Sequence, residues 1–165
     1  MININKKTQK HQLVQNRMKS LSSFSAIEHR LEIVRTLKEV VWINDSKSTD
    51  MGATAFSIEN IQGPLIWIVG YSELDRNLDM VQELAQEKVA EIICYGKFET
   101  EIKYYFAAKI KYSYKQDLSG AIDLAQENAI PGSSVLFSPA CPSFLNYGNY
   151  RQRGDHFKEL VNQIS

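Results

Sequence analysis

Leu65-Ile66-Trp67-Ile68-Val69 is an unbroken apolar run, and Gly63-Pro64 breaks the chain just before it. A run without polar alternation is the pattern of a strand buried on both faces. Such a strand needs covering layers above and below, and the rest of the sequence supplies them. Strand-like runs over 31–36, 40–44, 91–95, 110–114 and 134–138 are interleaved with helical spacing over 53–61, 78–88, 99–107, 118–128 and 155–164. The first two strands are joined by a short link that reads as a hairpin. Alternation of this kind predicts an α/β fold. The expected architecture is a Rossmann-like, mostly parallel sheet of about six strands, with helices on both faces and an initial antiparallel hairpin.

The chain has 165 residues, which is the length of one domain. Lys plus Arg and Asp plus Glu are 19 each, so the net charge is zero. A balance of zero argues against wholesale nucleic-acid binding, which needs a cationic surface. No apolar run approaches the ~20 residues that span a bilayer, and the first thirty residues have no secretory h-region. Two isolated cysteines, Cys94 and Cys141, suggest a reducing compartment, so the cytoplasm is the expected location. Charge is uneven along the chain. Residues 1–27 hold Lys6, Lys7, Lys10, Arg17 and Lys19 and no acid. Leu13, Val14, Met18 and Leu21 suggest a short amphipathic helix over 12–21, followed by a Ser-rich linker over 20–25. The expected division is therefore a basic tail over 1–26 and a domain over 27–165.

In a parallel sheet, ligands bind outside the carboxyl ends of the strands. Three polar segments fall there: 45–50, 70–79 and 138–150. There is no G-x-x-x-x-G-K-[ST] phosphate loop, no G-x-G-x-x-G and no G-x-S-x-G. Cys94 and Cys141 do not stand at metal-ligand spacing with each other or with His11, His29 or His156, so no metal site and no catalytic residue is assigned. Asn44-Asp45-Ser46-Lys47-Ser48-Thr49-Asp50 is the densest polar cluster and lies between a strand and a helix. It suits an anion, through backbone N–H groups, hydroxyls and Lys47. It equally suits an ordinary helix cap by Ser48 or Thr49. The turn 138–144 could grip a carboxylate with its hydroxyls, or simply be a loop stiffened by Pro139 and Pro142.

Four strings carry a resemblance: Glu-His-Arg-Leu-Glu at 28–32, Ile-Asn-Asp-Ser-Lys-Ser-Thr at 43–49, Ser-Pro-Ala-Cys-x-Ser-Phe at 138–144, and Asn-Tyr-x-x-Arg-Gly-x-x-Phe at 149–157. In order and spacing they resemble the C-terminal domain of the D-glutamate-adding Mur ligases. The resemblance covers nearly the whole chain beyond residue 27. It implies part of an ADP-forming acid–amino-acid ligase of peptidoglycan precursor synthesis, and so a place in cell-wall building, cell shape and division. In that family ATP phosphorylates the carboxylate of a UDP-sugar-linked alanine, and the amine of D-glutamate attacks the acyl phosphate. A UDP-sugar domain and an ATPase domain do the rest, with ATP and magnesium bound in the complete ligase. By motif position, Lys47, Thr49, Arg76, Ser143 and Tyr150 are expected around D-glutamate, and Arg30 and Asp45 at the nucleotide. The expected partners are D-glutamate and those two domains, in the same or a separate chain, with no nucleic acid and no membrane.

Three positions depart from the family pattern. Asp50 stands where Asn is usual and adds negative charge near an anion site. The loop 70–76 is two residues longer, and Arg76 takes the place of a lysine, keeping charge but not geometry. Leu145 replaces an Asp. Without a phosphate loop, this chain alone is expected to hold no cofactor and to turn over no ATP. A second expectation, from a different class, is a non-catalytic binding or interaction module derived from the ligase domain.

Overall fold

The computed structural model describes Gln12 and residues 27–165. The helix expected over 12–21, the linker and the basic tail lie outside the described residues, Gln12 apart. The elements are β1 (Glu32–Leu37), β2 (Val40–Asn44), α1 (Met51–Asn60), β3 (Leu65–Gly70), α2 (Gln82–Lys88), β4 (Val89–Tyr95), α3 (Glu101–Phe106), β5 (Lys111–Lys115), α4 (Leu118–Asn128), β6 (Ser134–Phe137) and α5 (Tyr150–Gln163). They build one six-stranded sheet in the order β1-β2-β6-β3-β4-β5. Only β1 is antiparallel to its neighbour; β2, β6, β3, β4 and β5 run parallel.

Side chains alternate across the pleat, so each strand feeds two cores. Leu65, Trp67, Val69, Ile92 and Cys94 face the layer made by α1, α2 and α3. Ile66, Ile68, Ile93 and Tyr95 face α4 and α5. β3 is buried at every position, as its unbroken apolar run demands.

Several expected boundaries shift, for physical reasons. The helix expected over 78–88 is a 3-10 turn, Leu78–Val81, that passes into α2. α5 begins at Tyr150, not 155, because Asn149 caps it: its side chain accepts from the N–H groups of Arg151 and Gln152. The polar turn Tyr-Arg-Gln-Arg hides this start from hydrophobic periodicity. The cap of α1 is neither Ser48 nor Thr49 but Asp50, which accepts from Ala53 N at 2.9 Å. The unusual acid is thus engaged at a helix N-terminus, where negative charge is favoured.

α5 approaches the hairpin closely through Gly154. A Cβ there would stand 2.2 Å from His29 Nδ1. His29 is buried and held at φ 64, so it has little room to yield. Gly154→Ala is therefore expected to lower stability by about 2 kcal/mol through overpacking, despite alanine's better helix propensity. Urea denaturation checks this; an unchanged or raised midpoint contradicts the fit.

Candidate functional site

β2, β6 and β3 are mutually parallel, so the loops after them gather at one end of the sheet. The β2–α1 loop is held from within. Asp45, fully buried, accepts from Leu31 N at 3.2 Å, Ser48 Oγ at 2.6 Å and Ser138 Oγ at 2.8 Å. Thr54 Oγ1 meets Ser138 Oγ at 2.8 Å and completes the knot. Burial pushes the Asp45 carboxyl up from the ordinary carboxylate range, against the pull of those hydroxyls. Asn44 Oδ1 accepts from Ser46 N, which turns its Nδ2 toward His29 Nδ1 and Glu32.

The loop after β6 is held from outside. Trp67 Nε1 donates to Ser138 O at 2.8 Å, and Gly70 N to Pro139 O at 2.9 Å. Arg76 Nη1 reaches Ala140 O at 3.5 Å, and Arg153 Nη1 donates to Cys141 O at 2.8 Å. Successive carbonyls from 138 to 141 thus each meet a donor, the first two from β3 and the others from Arg76 and Arg153. Ala140 sits at φ 52, a left-handed conformation that a non-glycine residue holds only when its surroundings fix it.

The sequence-expected residues take up distinct places. Lys47, half-buried, stands with its ammonium 5.8 Å from the Tyr150 ring centroid and in no ion pair among the described residues. Thr49 is half-buried two positions on. Ser143 is buried and lines a small cleft with Gly70, Tyr95, Cys141, Tyr147 and Arg153. Tyr150 opens α5 and packs edge-on against His29. Arg76 ends in the same region but is largely committed. Its side chain, 4% exposed, donates from Nε to Glu101 and from Nη1 to Gly70 O, both at 2.8 Å, leaving Nη2 without a partner among the described residues. Arg30 is half-buried beside the β1–β2 hairpin. Asp45 is buried, and its hydrogen bonds run to Leu31 N and the Ser48 and Ser138 hydroxyls of the loop framework.

Burial pushes the Cys141 thiol up, opposed by Arg153 and Arg76, which makes it a poor nucleophile. Glu28, His29 and Asp155 bring their ligating atoms within 4.8 Å of one another. Lys158 already serves that cluster, bonding Glu28 at 3.1 Å and Asp155 at 3.2 Å. What this end of the sheet offers chemically is an ammonium with no ion-pair partner among the described residues, together with hydroxyls, a setting for carboxylates. Sequence reasoning gave no role to Ser46 or Arg153, although Arg153 lies within the Asn-Tyr-x-x-Arg-Gly string. No helix of the described residues is long and apolar enough to cross a membrane.

No protein-family model matches the chain. Among solved structures, it is similar to a bifunctional folylpolyglutamate synthase/dihydrofolate synthase from Yersinia pestis CO92. The TM-score is 0.56 at 14% identity, over 82% of this chain and 32% of that one. It is also similar to the MurF ligase from Thermotoga maritima solved with ADP, with a TM-score of 0.54 at 16% identity, over 84% of this chain and 33% of that one. The fold is thus one shared with Mur ligases and folylpolyglutamate synthases.

Sequence relatives narrow this. The chain is 36% identical over 145 residues to the UDP-N-acetylmuramoylalanine–D-glutamate ligase of Chlorobium chlorochromatii (strain CaD3), over 88% of this chain and 31% of that ligase. It is 37% identical over 150 residues to the enzyme of that name from Symbiobacterium thermophilum, over 88% of this chain and 32% of that enzyme. The chain spans about a third of the length of the curated relatives it matches. It resembles the C-terminal domain of the D-glutamate-adding Mur ligases.

Proposed function

We propose that this chain is the D-glutamate-binding domain of an ATP-dependent UDP-N-acetylmuramoylalanine–D-glutamate ligase, acting with UDP-sugar and ATPase domains of the same or a separate chain. ATP and magnesium belong to the assembled ligase. The observation that carries this reading is Lys47, whose ammonium has no carboxylate partner among the described residues and stands at the carboxyl end of the parallel strands, where such sheets bind ligands. Thr49, Ser143 and Tyr150 stand on the loops and helix start beside it, and Arg76 adds charge with its one unpartnered nitrogen. These groups would fix the carboxylates of D-glutamate, and domain closure would aim its amine at the acyl phosphate. Arg30 and Asp45 would serve a nucleotide presented by another domain. The product would enter peptidoglycan synthesis.

Titration calorimetry tests this. Lys47→Ala is expected to weaken D-glutamate binding at least tenfold. Lys88→Ala should leave it unchanged, since Lys88 Nζ serves Ile58 O and Glu59 O at the end of α1. Equal effects would remove Lys47 from the site. One feature favours the alternative of a derived interaction module: Phe144 and Leu145, next to Ser143, are 80% and 51% exposed. Binding of a protein partner that Leu145→Asp abolishes, with no D-glutamate binding, would support it.

A further inference from the structure

Arg153 is 1% exposed and in no ion pair among the described residues. A guanidinium in that position is costly unless its donors are met. Here they are met by two loops that are far apart in sequence. Nη2 donates to Ser46 O at 2.8 Å and Nε to Ser46 Oγ at 3.0 Å. Nη1 donates to Cys141 O at 2.8 Å, with Cys141 Sγ at 3.6 Å. Ser46 Oγ in turn donates to Tyr150 O at 2.8 Å, closing the bridge onto the start of α5. One planar group therefore spans the loop of Lys47 and Thr49, the loop of Ser143, and the turn of Tyr150.

We propose that Arg153 is a positioning residue: its guanidinium sets the spacing between Lys47 and Ser143 by tying Ser46 to Cys141, without touching the ligand. The proposal rests on the D-glutamate reading above for its affinity readout only. A lysine lacks the planar fork, so it cannot reproduce the three directed bonds to Ser46 O, Ser46 Oγ and Cys141 O. The bridge also explains how Ala140 is kept left-handed. Its own N–H is held by Ser48 O at 3.1 Å, so the two loops are joined on both sides of Ser46 and Cys141.

The full chain with Arg153→Lys, Ser143→Ala and both changes together provides the test. Arg153→Lys is expected to weaken D-glutamate binding at least tenfold. In the Ser143→Ala background the same change should cost several-fold less than in the parent, because the spacing between Lys47 and Ser143 no longer matters to the ligand. Amide exchange supplies a ligand-free readout. The Lys47 and Ala140 amides, bonded to His29 O and Ser48 O, should exchange at least tenfold faster in Arg153→Lys, while α4 amides keep their protection. Unchanged loop exchange, additive losses of affinity, or lost protection across β3 and α4 as well would each overturn the proposal. If the unaltered chain binds no D-glutamate, the ligand reading fails, and the clamp stands or falls on exchange alone.

Discussion

Trp67→Ala should destabilise the domain by about 4 kcal/mol, the scale of truncating a large buried aromatic. Trp67 is fully buried at the centre of the sheet and packs edge-on against Phe106 of α3, with ring centroids 6.4 Å apart. Its removal leaves a cavity that α1 and α3 cannot fill without leaving the sheet. The indole also carries a polar duty, since Nε1 donates to Ser138 O. Trp67→Phe separates the two contributions: it keeps most of the bulk and strands the carbonyl, at an expected cost of about 2 kcal/mol. Guanidinium denaturation followed by circular dichroism measures both. A loss below about 1 kcal/mol for the alanine variant would mean that the centre of the sheet repacks freely, contrary to dense core packing.

The second large effect concerns Asp45. Asp45→Ala should cost about 3 kcal/mol, because Leu31 N and the Ser48 and Ser138 hydroxyls lose a shared acceptor inside the protein. Asp45→Asn should recover most of this, since an amide oxygen can serve Leu31 N and hydroxyls can reverse their roles. The two forms also differ in pH response. Burial raises the carboxyl above the ordinary carboxylate range in the folded protein. The native state therefore holds this proton more tightly than the unfolded chain. The contribution to stability is full below the unfolded value and is lost as pH rises through the raised folded one. As pH rises from about 4, the unshifted carboxylate value, the stability of the Asn variant relative to the parent should rise. Parallel urea midpoints for the two proteins above that pH would show that Asp45 is not desolvated as described.

Much of the fold was legible because its strands are extreme. The run Leu65 to Val69 admits no reading but a doubly covered strand, and α4 declares both ends, with Asp117 accepting from Gly120 N at its start. Periodicity reads what a side chain faces, so it passed over the polar first turn of α5 and blurred the 3-10 entry into α2. Strand order was not legible, because βαβ alternation does not say that β6 inserts between β2 and β3. At the site, motif position picked out residues that do share one end of the sheet. It could not tell Asp45, sealed under its hydrogen bonds, from Lys47, which is uncommitted. Nor could it separate an arginine that supports loops from one that meets a ligand, since both are simply arginine in a string.

The place of β6 has a consequence for how the domain assembles. Among the described residues it is the last strand, and the only one hydrogen-bonded to both the β1-β2 pair and the β3-β4-β5 trio. Its partners on one side, Val41 to Asn44, lie roughly ninety residues earlier in the chain. Neither half of the sheet has a completed edge until that long loop is closed, so early pairings gain little from one another. Folding should be slow for a chain of this size, dominated by the search for a non-local contact. Once β6 is seated, both cores close over it together, and the sheet opens and closes as one cooperative unit rather than as two halves.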